Sequence, residues 1–131
     1  MRKDHMISII DDDKSVREAM KGLVRSLGYR ATDFESAEDF LDSGRMDDTS
    51  CVITDIQMPG LSGLDLQEKL LAAGCSTPVI FVTAHPKEHE RTKAMKAGAM
   101  GFFGKPFDDD ALISCLDEAL TRDGQRSGSG Q

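Results

Sequence analysis

The chain has no tryptophan, one tyrosine and three cysteines among its 131 residues. Cys51, Cys75 and Cys115 are odd in number and far apart, with no Cys-x-x-Cys pair and no Cys/His group at zinc spacing. This excludes a disulfide scaffold and a structural zinc site, and the three read as buried or half-buried thiols of a reducing cytoplasm. Positive charge is also short. Against 23 Asp and Glu stand 16 Lys and Arg, a formal net charge of −7. A bare nucleic-acid-binding module and an anionic membrane surface each demand a basic footprint, so neither is expected as a partner. The longest apolar runs are about five residues, against the roughly 20 that cross a bilayer. Met1 to His5 is charged and lacks the apolar core and small-residue cleavage site of a secretory signal. What is present, 39% hydrophobic and 30% charged residues, suits one globular domain.

Short apolar segments alternate with amphipathic ones. Met6 to Ile10 is a β-branched run that ends in acid. Val16, Met20, Leu23, Val24 and Leu27 then follow helical spacing up to Gly28. Tyr29 to Phe34 is a more polar strand suited to a sheet edge, and Ser36-Ala37-Glu38-Asp39 is a capping-box pattern opening a short helix. Cys51 to Asp55 is a buried strand ending in acid. Gln57 to Ser62 is a loop, and Ser62-Gly63-Leu64-Asp65 opens a helix carrying Leu64, Leu70 and Leu71. Pro78 to Thr83 is the strongest strand, followed by a polar helix over Lys87 to Ala97, a strand over Met100 to Phe103 and a helix over Asp108 to Arg122 with Leu112, Cys115, Leu116, Ala119 and Leu120 inward. Continuous apolar strands separated by single helices predict an α/β fold, a (βα)5 doubly wound, five-stranded parallel sheet. Right-handed crossovers favour the order 2-1-3-4-5, with the ligand site at the carboxyl ends of the strands. Residues 1–122 form the expected domain, and the Gly-, Ser- and Gln-rich stretch 123–131 reads as a flexible tail or the start of a linker.

The strand ends carry the chemistry. Asp11, Asp12 and Asp13 follow the first strand, Asp55 the third, Thr83 and Ala84 the fourth, and Lys105-Pro106 the fifth. In the proposed order these converge at one edge. Like charges 4 Å apart repel by roughly 4 kcal/mol at an effective dielectric of about 20, so such a cluster takes up protons or binds a cation. Oxygen-only ligands suit Mg²⁺. A hydroxyl and an ammonium are donors for an anion, and acid, Mg²⁺, Thr and Lys together describe phosphoryl transfer with Asp55 as nucleophile. Each residue also has a plain reading. Asp11 to Asp13 or Asp55 could cap helices, Ser15 to Glu18 already offers a capping box, and Lys105 and Thr83 could be ordinary loop residues. All of them at the ends of the right strands favours the joint reading.

Asp11-Asp12, Thr54-Asp55-Ile56-Gln57-Met58-Pro59 with Gly63, Thr83-Ala84 and Lys105-Pro106-Phe107 resemble the receiver domain of bacterial two-component response regulators. The resemblance runs from Met6 to Arg122. Ser36-Ala37-Glu38, Met58 to Gly63 and Ala94 to Ala99 are similar to the FixJ-type subgroup. The resemblance implies a flavodoxin-like (CheY-like) fold with Asp55 as phosphoacceptor. Asp12, Asp55 and the Gln57 carbonyl would ligate Mg²⁺ (Mn²⁺ substituting), with Asp11 acting through a metal-bound water. Thr83 and Lys105 would bind phosphoryl oxygens, and Phe102 would move with Thr83 in a switch. Gln57 and His85 fall where the family tunes self-hydrolysis, and Asp13 is an extra acid, a helix cap or outer-shell group.

The implied function is phosphorelay signalling in the cytoplasm. A sensor histidine kinase would be the phosphodonor, and the domain would promote its own phosphorylation and dephosphorylation without being an enzyme on other substrates. The switched face would be helix 4, strand 5 and helix 5, with phosphorylation-dependent homodimerisation as one outcome. FixJ-type receivers usually precede a helix-turn-helix effector, so the expected output is transcription regulation through a domain absent from this chain; the alternative is a stand-alone receiver acting by protein–protein contact. Rival readings fit less well. A flavin mononucleotide carrier needs a phosphate loop where Asp11 to Asp13 stand, and a haloacid-dehalogenase-type phosphatase needs an acid where Gln57 stands. A degenerate interaction module would have lost Asp55, Thr83 or Lys105.

Overall fold

A computed structural model describes residues 5–128 of the 131-residue chain. The readings made above for residues 1–4 and 129–131 lie outside the described residues. The elements alternate strictly: β1 (Met6–Ile10), α1 (Lys14–Ser26), β2 (Arg30–Phe34), α2 (Ala37–Asp42), β3 (Cys51–Thr54), α3 (Gly63–Ala72), β4 (Val79–Thr83), α4 (Glu88–Lys96), β5 (Gly101–Gly104) and α5 (Asp109–Gly128). The strands form one parallel sheet in the order β2-β1-β3-β4-β5, as the sequence predicts.

Side-chain alternation along the strands splits the core in two. Ile7, Ile9, Ile53, Ile80 and Val82 face α1 and α5, where they meet Met20, Val24, Leu112 and Leu116. Ile10, Val52, Val79 and Phe81 face the opposite way, onto Phe40, Leu66, Leu70 and Ala94 from α2, α3 and α4. Strands β1, β3 and β4 are buried along their whole length, which is why they read as continuous apolar runs, whereas β2 is partly exposed and polar. The buried hydroxyl of Ser8 is matched by that of Thr49 at 2.7 Å.

Local details differ from the sequence expectation. The cap of α1 is Asp13, whose side chain accepts from the backbone N–H of Ser15 and Val16, so the Ser15–Glu18 box is not used. Asp is as good an N-cap as Ser, and Asp13 comes first in the chain. Ser36 caps α2 from one side, accepting from Asp39 N–H, while Ser62 and Asp65 form a full capping box on α3. Gly28 leaves α1 at φ 92°, a conformation that favours glycine. Leu71 points outward at 52% exposed, and Leu66 takes the core position instead. Cys115 is only half-buried, and none of the three cysteines is in a disulfide. α5 continues past the expected end at Arg122 to Gly128, since a helix already nucleated tolerates a glycine at a cost of about 1 kcal/mol. Among the described residues no helix is long and apolar enough to cross a membrane.

Candidate functional site

β1 and β3 are neighbours in register, with Ile10 opposite Thr54. The next residues on each strand, Asp11 and Asp55, therefore leave the sheet side by side. The ladder continues one step into the acids, because Asp11 N–H donates to Phe34 O at 3.1 Å and Asp55 N–H to Ile10 O at 3.0 Å. Both carboxylates are buried, Asp11 to 3% and Asp55 to 7% exposure, while Asp12 is exposed. Oxygens of Asp11, Asp12 and Asp55 all lie within 4.8 Å of one another.

Lys105 reaches in from the end of β5. Its Nζ donates to Asp11 Oδ2 at 2.9 Å and to Asp55 Oδ2 at 3.3 Å. The Lys105 backbone N–H donates to Thr83 O at 2.8 Å, which ties the ends of β4 and β5 together, and the Lys105–Pro106 bond is cis. Asp55 Oδ1 accepts from the N–H of Ile56 at 2.7 Å, so both carboxylate oxygens have partners. Burial pushes the Asp55 carboxyl above the ordinary carboxylate value. The Asp11 charge adds to that, and Lys105 and the Ile56 N–H oppose it. Burial alone would lower the Lys105 ammonium, but its hydrogen bond to Asp11 and the charges of Asp11 and Asp55 outweigh it and hold it above its usual value.

The donor set fits a hard divalent cation. It is all oxygen, one carboxylate is open to solvent, and a single ammonium against three carboxylates leaves an excess of negative charge. The other predicted residues lie on or just after the strands, apart from Asp13. Thr83 is fully buried and its Oγ1 accepts from His85 N–H at 3.4 Å. Phe102 stands opposite Phe81 on β5, half-buried, with ring centroids 6.3 Å apart. The Gln57 and His85 side chains are exposed. Asp13 stays in the capping role at α1.

The loop after Asp55 is closed tightly. Gly63 N–H donates to Ile56 O at 2.9 Å, and a Cβ at Gly63 would overlap the carbonyl oxygen of Asp55. Only glycine lets the start of α3 approach the strand end this closely. Two supports escape the sequence reading. Arg17 donates from Nη1 to the carbonyl of Asp11 at 2.8 Å and from Nε to Asp33 Oδ2 at 2.9 Å. Glu38 Oε2 accepts from Leu61 N–H at 3.0 Å. Arg17 carries no sequence signal beyond its place in an amphipathic helix, whereas Glu38 stands inside a motif already singled out.

The sheet order and the helices on both faces define the flavodoxin-like, CheY-like class, with three acids and a lysine gathered at its strand ends. Residues 7–117 match the response regulator receiver domain, and the chain belongs to that family. It is 42% identical over 118 residues to the response regulator protein TmoT of Ectopseudomonas mendocina, covering 90% of this chain and 54% of the relative. It is 42% identical over 120 residues to the transcriptional regulatory protein FixJ of Azorhizobium caulinodans, covering 92% and 57%. Among solved structures, response regulator StyR superposes with a TM-score of 0.89 at 37% identity, over 96% of this chain and 64% of that one. The chain spans about half the length of the curated relatives it matches. Receiver domains of response regulators are signalling domains that interact with sensor histidine kinases and generally bind Mg²⁺.

Proposed function

We propose that this chain is a phosphorylated switch and that Asp55 accepts the phosphoryl group of a phosphohistidine on a sensor histidine kinase. The observation that carries this reading is one ammonium, Lys105 Nζ, shared between Asp11 and Asp55 inside a cluster of three carboxylates. In the transfer an Asp55 oxygen forms a P–O bond as the P–N bond to the donor imidazole breaks, and the imidazole nitrogen keeps that electron pair. The Ile56 N–H fixes the rotation of the Asp55 carboxylate. Lys105 pairs with phosphoryl oxygens, and the Thr83 hydroxyl adds a second donor.

The residues that would hold Mg²⁺, or Mn²⁺ in its place, are Asp12, Asp55 and the carbonyl of Gln57, with Asp11 acting through a bound water. Bound there, the metal offsets the joint negative charge of acceptor and phosphoryl group. Gln57 and His85, exposed at the positions where the family tunes self-hydrolysis, set how fast water removes the phosphoryl group, so the domain promotes both its phosphorylation and its dephosphorylation.

Phosphorylation adds about −1.5 to −2 charge at pH 7. Thr83 turns toward it, Phe102 fills the space vacated, and the face made by α4, β5 and α5 changes. A switch from 1:99 to 99:1 takes about 5.5 kcal/mol of differential stabilisation. Charge-assisted bonds from Thr83 and Lys105, at about 1.5–3 kcal/mol each, supply much of it. Residues 1–122 constitute the receiver and 123–131 lead toward a linker. The output is transcription regulation by an effector region in a longer protein, in keeping with curated relatives of which the matched segment is 54% and 57%. The setting is the cytoplasm, the phosphorylated form pairs through the α4-β5-α5 face, and the domain itself makes no contact with nucleic acid.

Intact-mass measurement after incubation with acetyl phosphate tests the reading. One phosphoryl adduct is expected on wild type with Mg²⁺, and none without Mg²⁺ or in Asp55→Asn. An adduct that survives in Asp55→Asn would overturn the assignment. Sedimentation of the same phosphorylated sample reads pairing, and a monomer at high concentration rejects it.

A further inference from the structure

Two motifs not accounted for by phosphoryl transfer, Ser36-Ala37-Glu38 and Met58-Pro59-Gly60, meet in one contact. Glu38 lies in the first turn of α2, and Gly60 and Leu61 lie in the loop that joins Asp55 to α3. Glu38 Oε2 accepts from the Leu61 N–H at 3.0 Å. Gly60 has φ 81°, and a Cβ there would overlap Glu38 Oε2 and come within 3.1 Å of its Cδ. The carboxylate thus lies flat against the loop backbone in a space that glycine leaves open. Its other oxygen, Oε1, is buried with no hydrogen-bond partner among the described residues. A buried carboxylate oxygen without a hydrogen bond carries a desolvation cost, which the Oε2 bond to the loop has to offset.

The loop has other anchors only at its base and in the core. Gly63 N–H closes on Ile56 O, and Met58 is buried against the α2–α4 side. Between them the Leu61–Glu38 bond is the one side-chain hydrogen bond from another element that the described residues 57–61 receive. We propose that Glu38 is a positioning residue for the metal site: it latches the 57–61 loop to α2 and so holds the Gln57 carbonyl where a divalent cation can use it. The inference rests on the metal role given to that carbonyl under Proposed function. What the latch needs is an acceptor of the right reach, not a charge, so glutamine can serve in its place.

The test uses the 131-residue chain, unphosphorylated, and has two readouts: Mg²⁺ affinity by calorimetry and amide hydrogen exchange at Leu61. Glu38→Ala is expected to speed Leu61 exchange about tenfold, the equivalent of losing one hydrogen bond, and to weaken Mg²⁺ binding about threefold or more. Glu38→Gln should stay within about twofold of wild type on both, because its amide oxygen accepts from the same N–H. Leu120→Ala, a cavity in α5 on the far face of the sheet, lowers global stability and should leave Mg²⁺ affinity unchanged. Three results overturn the latch: unchanged Mg²⁺ affinity in Glu38→Ala, equal losses in Glu38→Gln and Glu38→Ala, or an equal loss in Leu120→Ala. A wild type that binds no Mg²⁺ overturns the metal reading and this role with it; the cause is then identifiable, because Glu38→Ala still deprotects Leu61.

Discussion

Asp33 shows how one side chain on an edge strand serves the site. It holds Arg17 at 2.9 Å and Lys21 at 3.1 Å, and Arg17 in turn grips the Asp11 carbonyl. Burial pushes the Asp33 carboxyl up, but the hydrogen bonds and charges of Lys21 and Arg17 outweigh it and hold it below its ordinary value of 3.8. A folded-state value below the unfolded one means stability that is fully present above about pH 4 and is lost as pH falls through the folded value. Denaturant unfolding followed between about pH 5 and pH 3 should therefore show a steeper acid loss in wild type than in Asp33→Asn. Equal slopes would remove Asp33 from the acid response. Nothing in the sequence marks Asp33 or Arg17, since a charged residue on a polar edge strand or an amphipathic helix reads as solvated. The acids themselves were legible because each stands directly after a buried apolar run, where a carboxylate has little other reason to be.

Among the elements, α3 offers the sharpest contrast between neighbouring residues. Leu70 is 2% exposed and packs beneath the sheet with Leu66, while Leu71 is 52% exposed. Leu70→Ala should cost about 2–5 kcal/mol of unfolding free energy, and Leu71→Ala should stay within about 0.5 kcal/mol, both read by chemical denaturation. A comparable loss in the two would contradict the orientation of the helix. The sequence identified this helix and its Ser62 cap but not its rotation. On the helical wheel Leu66 pairs with Leu70 and Leu64 with Leu71 on a different face, and which pair faces inward depends on where the loop delivers Gly63 against Asp55. The sequence leaves the start of α1 between two caps for a related reason: Asp13 and Ser15 are equally good, and only the path of the chain out of β1 selects Asp13.

For the molecule as a whole, the order of the sheet was readable because parallel strands buried on both faces leave continuous apolar runs, and right-handed crossovers then leave few topologies. The site was readable for the same reason, as topology alone brings the ends of β1, β3, β4 and β5 to one edge. What topology could not supply were the contacts between distant loops, such as Glu38 with Leu61. If the acid cluster binds Mg²⁺ in the folded state alone, the metal adds to global stability by mass action. At ten times its dissociation constant it should contribute about 1.4 kcal/mol, read as a rise in Tm that Asp12→Asn abolishes. A Tm indifferent to Mg²⁺ in wild type would argue against the site.

The carboxylates of Asp11 and Asp55 come from the next positions on two adjacent strands in register. Their spacing is inherited from the distance between neighbouring strands, about 4.8 Å in any sheet. The backbone ladder thus acts as a ruler for the chemistry above it. Helices on either face can shift or exchange core side chains without altering the separation of the two acids, while a slip of one residue between β1 and β3 would throw one of them onto the wrong face altogether. The outward-facing surfaces can thereby change while the two acids keep their separation.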